Sequence, residues 1–182
     1  MIEMYLVVIV AFLAGIMILF RWRVSEFKGE EPFDSYLNQL KDNGTLLENV
    51  FLENQTIVRY LYISKAGLYN IYYNPEVLGR IYGDDEETTW KQVLEHRKLP
   101  IPNPVRLMEK QHREFERVFN ELEVDVPIHE MICLSKRATP KLTISVPVVF
   151  LDDIVDMVNV KEEVLSIDEV NRLVTYFESI NK

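Results

Sequence analysis

The sequence predicts an α/β protein in which a mixed β-sheet is flanked by helices and preceded by one N-terminal transmembrane helix. Three observations predict it. An uncharged apolar run stands near the start of the chain, and runs rich in β-branched and aromatic residues fill its middle. Segments with apolar residues at every third or fourth position lie on both sides of these runs. A chain of 182 residues accommodates one such domain and an anchor.

Residues 4–20 form the predicted membrane anchor, because they contain no charged side chain. Extended to Trp22, the helix is about 28 Å long, close to the ~30 Å hydrocarbon core of a bilayer. Tyr5 and Trp22 suit the two membrane interfaces. A secretory signal peptide is the alternative, but Glu3 stands where a signal peptide carries cations. A buried core helix is rarely apolar on every side.

The charges that follow the anchor predict its orientation. Arg21, Arg23 and Lys28 all come after the apolar run, and such cations mark the cytoplasmic side of a membrane helix. We therefore predict a single-pass protein of the cell membrane with its soluble domain in the cytoplasm. Ala11 and Gly15 form a pair of small residues that would allow a homodimer through this helix.

The chain divides into four predicted segments. Residues 1–23 are the anchor and residues 24–31 a polar linker. Residues 32–150 are the α/β domain, and residues 151–182 are a C-terminal helical segment.

In the first half of the domain, the sequence predicts a helix and three strands. The helix begins at Pro32 and ends before Gly44, which is the expected punctuation of a helix. Residues 46–52 and 56–63 are β-rich and predict a hairpin. A third strand covers residues 68–73 and ends where a proline follows.

The second half begins with a short strand at residues 80–82 between two glycines. Three prolines in residues 98–104 predict an irregular segment. The helical spacing of apolar residues then predicts a long helix over residues 105–122. Residues 124–134 and 142–150 are predicted strands.

The C-terminal segment predicts two helices. Residues 151–158 form the shorter one. The last helix starts at Ser166, where Ser166 and Glu169 have the spacing of a capping box.

The net charge of −9 argues against nucleic acid as a partner, because an acidic surface repels phosphate backbones. The basic stretch at residues 135–141 is interpreted as a solvated turn. Cys133 is the single cysteine and lies in an apolar run, so we predict a buried side chain. The chain contains no phosphate-binding loop, and its histidines lack metal-ligand spacing, so no cofactor is expected.

A series of landmarks follows one another between residues 29 and 122. They are Gly29-Glu30, the strand at 46–52, Ile63-Ser64 with Gly67, the turn at 79–83, Trp90, and Asn103-Pro104 before the long helix. In this order and spacing, the region resembles the nuclease-related domain (NERD) family. The resemblance implies a restriction-endonuclease-like core.

The family's nucleases hold a divalent metal, usually Mg²⁺, with two carboxylates, and the metal activates water. The resemblance implies an Asp in the second strand and Glu-x-Lys in the third. Those positions fall on Arg59, Tyr72 and Asn74. An acidic position before the first helix falls on Glu30, and the Gln and His of the family's long helix fall on Leu107 and Gln111. We therefore predict neither a catalytic residue nor a metal ligand at this site.

One alternative keeps catalysis in a rearranged site. Glu76 would then replace a missing ligand and act with Glu30, and Mg²⁺ would be the cofactor. Against it, Glu76 is typical of a residue that caps the turn after Pro75. A shift of one residue would also place His112 at the family's His position.

Five tyrosines concentrate on the second and third predicted strands. Either they pack a half-buried sheet, or they form an aromatic surface that binds a protein partner. They are Tyr60, Tyr62, Tyr69, Tyr72 and Tyr73.

Together these patterns favour a membrane-anchored, catalytically inactive NERD-like domain that binds another protein at the cytoplasmic membrane face. A divergent metal-dependent nuclease is the first alternative. A structural membrane protein whose domain is unrelated to nucleases is the second.

Overall fold

The computed structural model describes residues 33–53, 55–159 and 162–181. The predicted anchor (1–23) and linker (24–31), with Glu30, lie outside these residues. Among the described residues, no helix is both long and apolar enough to cross a membrane.

The described residues form four α-helices, nine strands and one turn of 3₁₀-helix. In chain order these are α1 (Phe33–Leu40), β1 (Thr45–Phe51), β2 (Ile57–Ser64), β3 (Gly67–Tyr73), β4 (Gly79–Asp84), β5 (Thr89–Leu94), β6 (Arg97–Pro102), α2 (Pro104–Leu122), β7 (Ile128–Leu134), β8 (Ala138–Thr143), β9 (Val148–Phe150), the 3₁₀ turn (Leu151–Asp153), α3 (Ile154–Asn159) and α4 (Ile167–Ser179).

The strands form two mixed sheets. Sheet A has the order β1-β2-β3-β7-β9, in which β1 to β3 are an antiparallel meander and β7 and β9 are parallel to β3. Sheet B has the order β6-β5-β4-β8, in which β8 is parallel to β4. The prediction of a mixed α/β fold with flanking helices is confirmed, but the strands divide between two sheets.

The prediction of an irregular segment at residues 98–104 is wrong. Residues 97–102 form β6, which lies at an edge of sheet B and pairs with β5. Pro100 lies opposite Lys91, and Pro102 lies opposite Thr89. An edge strand tolerates proline because it has a partner strand on one side only, so the N–H that proline lacks is not needed on the open side.

The prediction of one strand over residues 142–150 is also wrong. The chain crosses between the sheets here, so that β8 belongs to sheet B and β9 to sheet A. The backbone N–H of Ser145, in the crossing, donates to the carboxylate of Asp85 at 2.9 Å. Part of the predicted basic turn at 135–141 is strand β8.

Helices cover both faces of sheet A. On one face, α1 and α3 pack against buried residues that include Tyr69, Ile71 and Cys133. On the other face, α2 and α4 pack against residues that include Leu61 and Leu68. The alternation of side chains along each strand therefore gives sheet A two apolar faces. Cys133 is buried, as predicted.

Side-chain caps fix the starts of helices α2 and α4. Asn103 caps α2, since its side chain accepts from the N–H of Val105 at 2.9 Å. The predicted capping box of α4 is confirmed: Ser166 accepts from the Glu169 N–H, and the Glu169 carboxylate accepts from the Ser166 N–H.

A close-packed group, here called the Trp90 cluster, ties sheet B to the start of α2. It consists of Gly83, Asp84, Trp90 and Asn103. A Cβ at Gly83 would lie 2.2 Å from Cδ1 of Trp90, so the indole requires a glycine there. The indole N–H donates to the carbonyl of Asp84 at 2.9 Å. The Asn103 amide donates to that carbonyl at 3.0 Å and to the Glu87 carbonyl at 2.7 Å.

Candidate substituted nuclease centre

Strands β2 and β3 bring together the three positions to which the resemblance assigns the family's catalytic residues. Tyr60 pairs with Ile71, so Arg59 lies beside Tyr72 one step further along the ladder. The Tyr72 phenol interacts electrostatically with Arg59 and is hydrogen-bonded to the Asn74 side chain. We call Arg59, Tyr72 and Asn74 the substituted centre.

The chemistry of the substituted centre does not suit a divalent cation. Burial raises the pKa of Tyr72 and outweighs the opposing effects of Asn74 and Arg59, so the phenol stays neutral at physiological pH. Arg59 is an exposed cation. Mg²⁺ is held through carboxylates and other hard oxygen ligands. In the described part of the chain, no three His, Cys, Asp or Glu side chains are grouped to hold a metal.

Glu76, the proposed substitute ligand, lies in the turn after β3 and is exposed. Its backbone N–H donates to the Asn74 side chain at 3.0 Å, and its carbonyl accepts from Gln92 at 2.9 Å. The side chain that caps this turn therefore belongs to Asn74, and the interpretation of Glu76 as the cap is wrong. Glu30, the other half of the alternative site, lies outside the described residues.

A buried amide pair lies on the same face of β3 as Tyr72. Asn70 is 2% exposed and donates to Gln111 of α2 at 2.9 Å. Gln111, also 2% exposed, donates to the carbonyl of Ile57 at 2.8 Å. Gln111, one of the two positions assigned to the family's helix Gln and His, thus faces the sheet beside the substituted centre. Its partner Asn70 was not predicted.

A carboxylate and a histidine extend this polar group. Glu130 pairs with Asn70 across the parallel β3–β7 ladder, and its Oε1 lies 3.4 Å from Nδ1 of His112. Burial raises the pKa of Glu130, while His112 and the hydrogen bond to Asn70 oppose the rise. His112 also approaches Glu116 at 3.7 Å. The sequence does carry a signal for Glu130, which is an acid within the apolar strand β7.

The tyrosines on β2 and β3 mostly pack the core. Tyr62, Tyr69 and Tyr73 are 1%, 0% and 6% exposed, so the contact-surface interpretation is wrong for these three. Burial raises the pKa of Tyr62 to about 12 and that of Tyr69 to about 12. Tyr60 and Tyr72 are half-buried, so that interpretation stays a prediction for them.

The sequence model of the nuclease-related domain, NERD, matches residues 25–135, which is more than half of the chain. The chain therefore belongs to the nuclease-related domain family. The match runs from before α1 to the end of β7 and contains both the Trp90 cluster and the substituted centre. It overturns the alternative of a domain unrelated to nucleases. No curated protein and no solved structure matches the chain.

Proposed function

We propose that this NERD domain is a membrane-anchored binding module that does not cleave nucleic acid. One observation supports the proposal: Arg59, Tyr72 and Asn74 lie together, and they occupy the positions to which the resemblance assigns the family's metal-binding and catalytic residues. A guanidinium about 4 Å from a divalent ion would repel each unit of its charge by about 4 kcal/mol at an effective dielectric constant of 20.

The same three residues offer a surface for a protein partner at the cytoplasmic membrane face. Arg59 is exposed, and the half-buried phenol of Tyr72 lies next to it. Arg and Tyr are enriched where protein interfaces concentrate their binding energy. The apolar run at residues 4–20, with Arg21 and Arg23 after it, supports the anchor and its orientation.

A cleavage assay tests the absence of nuclease activity. The purified full chain is incubated with single- and double-stranded DNA and RNA in the presence of Mg²⁺ or Mn²⁺. We expect no cleavage above a reaction with chelator. The divergent-nuclease alternative predicts metal-dependent cleavage that Glu30→Ala and Glu76→Ala abolish, and that result would end the proposal.

Crosslinking in membranes tests the binding role. Partners crosslinked to the wild-type chain are compared with those of Arg59→Ala and of Arg113→Ala, an exposed arginine on α2 that serves as the matched control. We expect Arg59→Ala to lose a partner that Arg113→Ala keeps. Identical partners for all three chains would exclude the substituted centre as the binding surface. Resistance of the full chain to alkaline extraction tests the anchor separately.

A further inference from the structure

The outward side of sheet B is basic, although the chain as a whole is acidic. Side chains alternate along its strands, so Ile81, Trp90 and Ala138 point inward and are buried. The residues between them point to solvent. We call this side the basic face; its exposed cations are Arg80, Lys91, Lys98 and Lys141.

The strand register places these cations around one tyrosine. Tyr82 of β4 lies opposite Lys91 on one side and opposite Lys141 on the other. One step along β4, Arg80 lies opposite Val93, which itself lies opposite Lys98. Neighbouring strands are about 4.8 Å apart, so the four charges share one compact surface. Tyr82 is 38% exposed at its centre.

Three of the four cations are free to meet an external anion. Lys91 lies 3.6 Å from Glu87. Within the described ranges, no carboxylate lies within ion-pair distance of Arg80, Lys98 or Lys141. Asp84 lies on the same side, but its carboxylate accepts from the backbone N–H groups of Glu86 and Glu87.

We propose that the basic face docks on anionic lipid headgroups of the membrane that holds the anchor. The inference rests on the anchor of the proposed function. Residues 24–31 can span at most about 29 Å when fully extended, so an anchor would tether the start of the domain close to the leaflet. Each basic residue near an anionic leaflet shifts docking by about fivefold. Tyrosine is a residue of the membrane interface.

Charge and shape favour lipid over nucleic acid. Proteins that bind single strands stack successive bases on several aromatic side chains. On the described basic face the exposed aromatic side chain is Tyr82, and flexible lysines surround it. Such a surface suits many mobile headgroups better than a row of bases.

A spin-label experiment on the full chain tests the docking. The natural Cys133 is buried, so a nitroxide attached to Thr139→Cys reports on the basic face and one attached to Thr175→Cys, on α4, reports on a distant surface. The protein is placed in nanodiscs of phosphatidylcholine alone, or in nanodiscs that also contain about 30% of the anionic lipid phosphatidylglycerol. Collisions with a water-soluble relaxation agent are then measured.

We expect phosphatidylglycerol to protect the label at 139 and not the label at 175. The double variant Lys98→Gln, Lys141→Gln should lower the ratio of docked to undocked protein about 25-fold. The matched control, Lys41→Gln with Arg113→Gln, changes the same charge elsewhere and should leave protection intact.

Equal exposure of residue 139 in both kinds of nanodisc would overturn the proposal. Protection by an oligonucleotide instead of by the anionic lipid would also overturn it and assign the face to nucleic acid. Alkaline extraction distinguishes failure of the membrane anchor from failure of the docking face. A chain that is extracted, but whose residue 139 is protected on anionic vesicles, would refute the anchor and support the docking face.

Discussion

The Trp90 cluster and the substituted centre lie in the same domain. The first keeps residues by which the sequence resembles the family, and the second departs from the pattern that the resemblance implies. In the Trp90 cluster, Gly83, Trp90 and Asn103 are among the landmarks by which the sequence resembles the family. In the substituted centre, the three positions to which the resemblance assigns Asp, Glu and Lys carry Arg59, Tyr72 and Asn74. Trp90 and Asn103 of the first region are buried, whereas Arg59 of the second is exposed.

The difference separates the needs of the fold from the needs of catalysis. Replacing Gly83 would place a methyl group inside an indole ring, and packed interiors have no room for it. Replacing a carboxylate on the exposed end of β2 by Arg59 leaves the β2–β3 ladder in place. The packing of the scaffold and the residues of the substituted centre therefore depend on different positions of the chain.

Gly83→Ala should have the largest effect, since its Cβ would lie 2.2 Å from the Trp90 ring. Overpacking of this severity should lower the stability by about 3 kcal/mol or more. Thermal unfolding followed by circular dichroism should show a Tm lower by about 6–12 °C. Thr89→Ala, an exposed neighbour of Trp90, is the control and should change little. An unchanged Tm for Gly83→Ala would contradict the tight packing.

Asn103→Ala should cost about 2–3 kcal/mol, because it removes the cap of α2, leaves the Glu87 carbonyl without this donor and leaves the Asp84 carbonyl with the Trp90 indole alone. Chemical denaturation measures the loss. Arg106→Gln is the control, since Arg106 bonds the neighbouring Glu86 at an exposed position. Equal losses for both variants would mean that Asn103 has no special role.

Restoring the family's residues in the substituted centre should create a metal site there. A chain with Arg59→Asp, Tyr72→Glu and Asn74→Lys should gain affinity for Mn²⁺. At a hundredfold excess over Kd, the metal would stabilise it by about 2.7 kcal/mol. The wild-type chain should show no shift in Tm on addition of Mn²⁺. A shift in the wild-type chain that Glu76→Ala removes would instead support the rearranged site.

Glu130→Gln should have the smallest effect, and its sign depends on pH. Because the folded-state pKa of Glu130 is raised, its contribution is favourable below the unfolded-state pKa and is lost as the pH rises through the folded-state value. The variant should therefore be more stable than the wild type at pH 8, with the difference shrinking toward pH 4.

Denaturation at several pH values measures this difference, with Glu116→Gln, an exposed acid on α2, as the control. His112, Glu109 and Glu116 are the ionisable groups around Glu130. A loss of stability at every pH would show instead that the contact between His112 and ionised Glu130 outweighs the cost of burial.

The sequence by itself determined the local elements whose signals are short-range. Helical spacing predicted α2, Ser166 and Glu169 predicted the start of α4, and two β-rich runs predicted the β1–β2 hairpin. The family resemblance supplied the three positions of the substituted centre, and the ladder between β2 and β3 joined them. These features depend on residues close in sequence or on adjacent strands.

Only the tertiary structure decided which strands share a sheet. Three prolines in residues 98–104 predict irregular structure until β5 is seen to offer β6 an edge. Residues 142–150 look like one strand until the chain crosses from sheet B to sheet A. The basic face likewise joins β4, β5, β6 and β8, which are separated in sequence. Sheet pairing is non-local, because each strand's partner is set by packing across the whole domain rather than by its own residues.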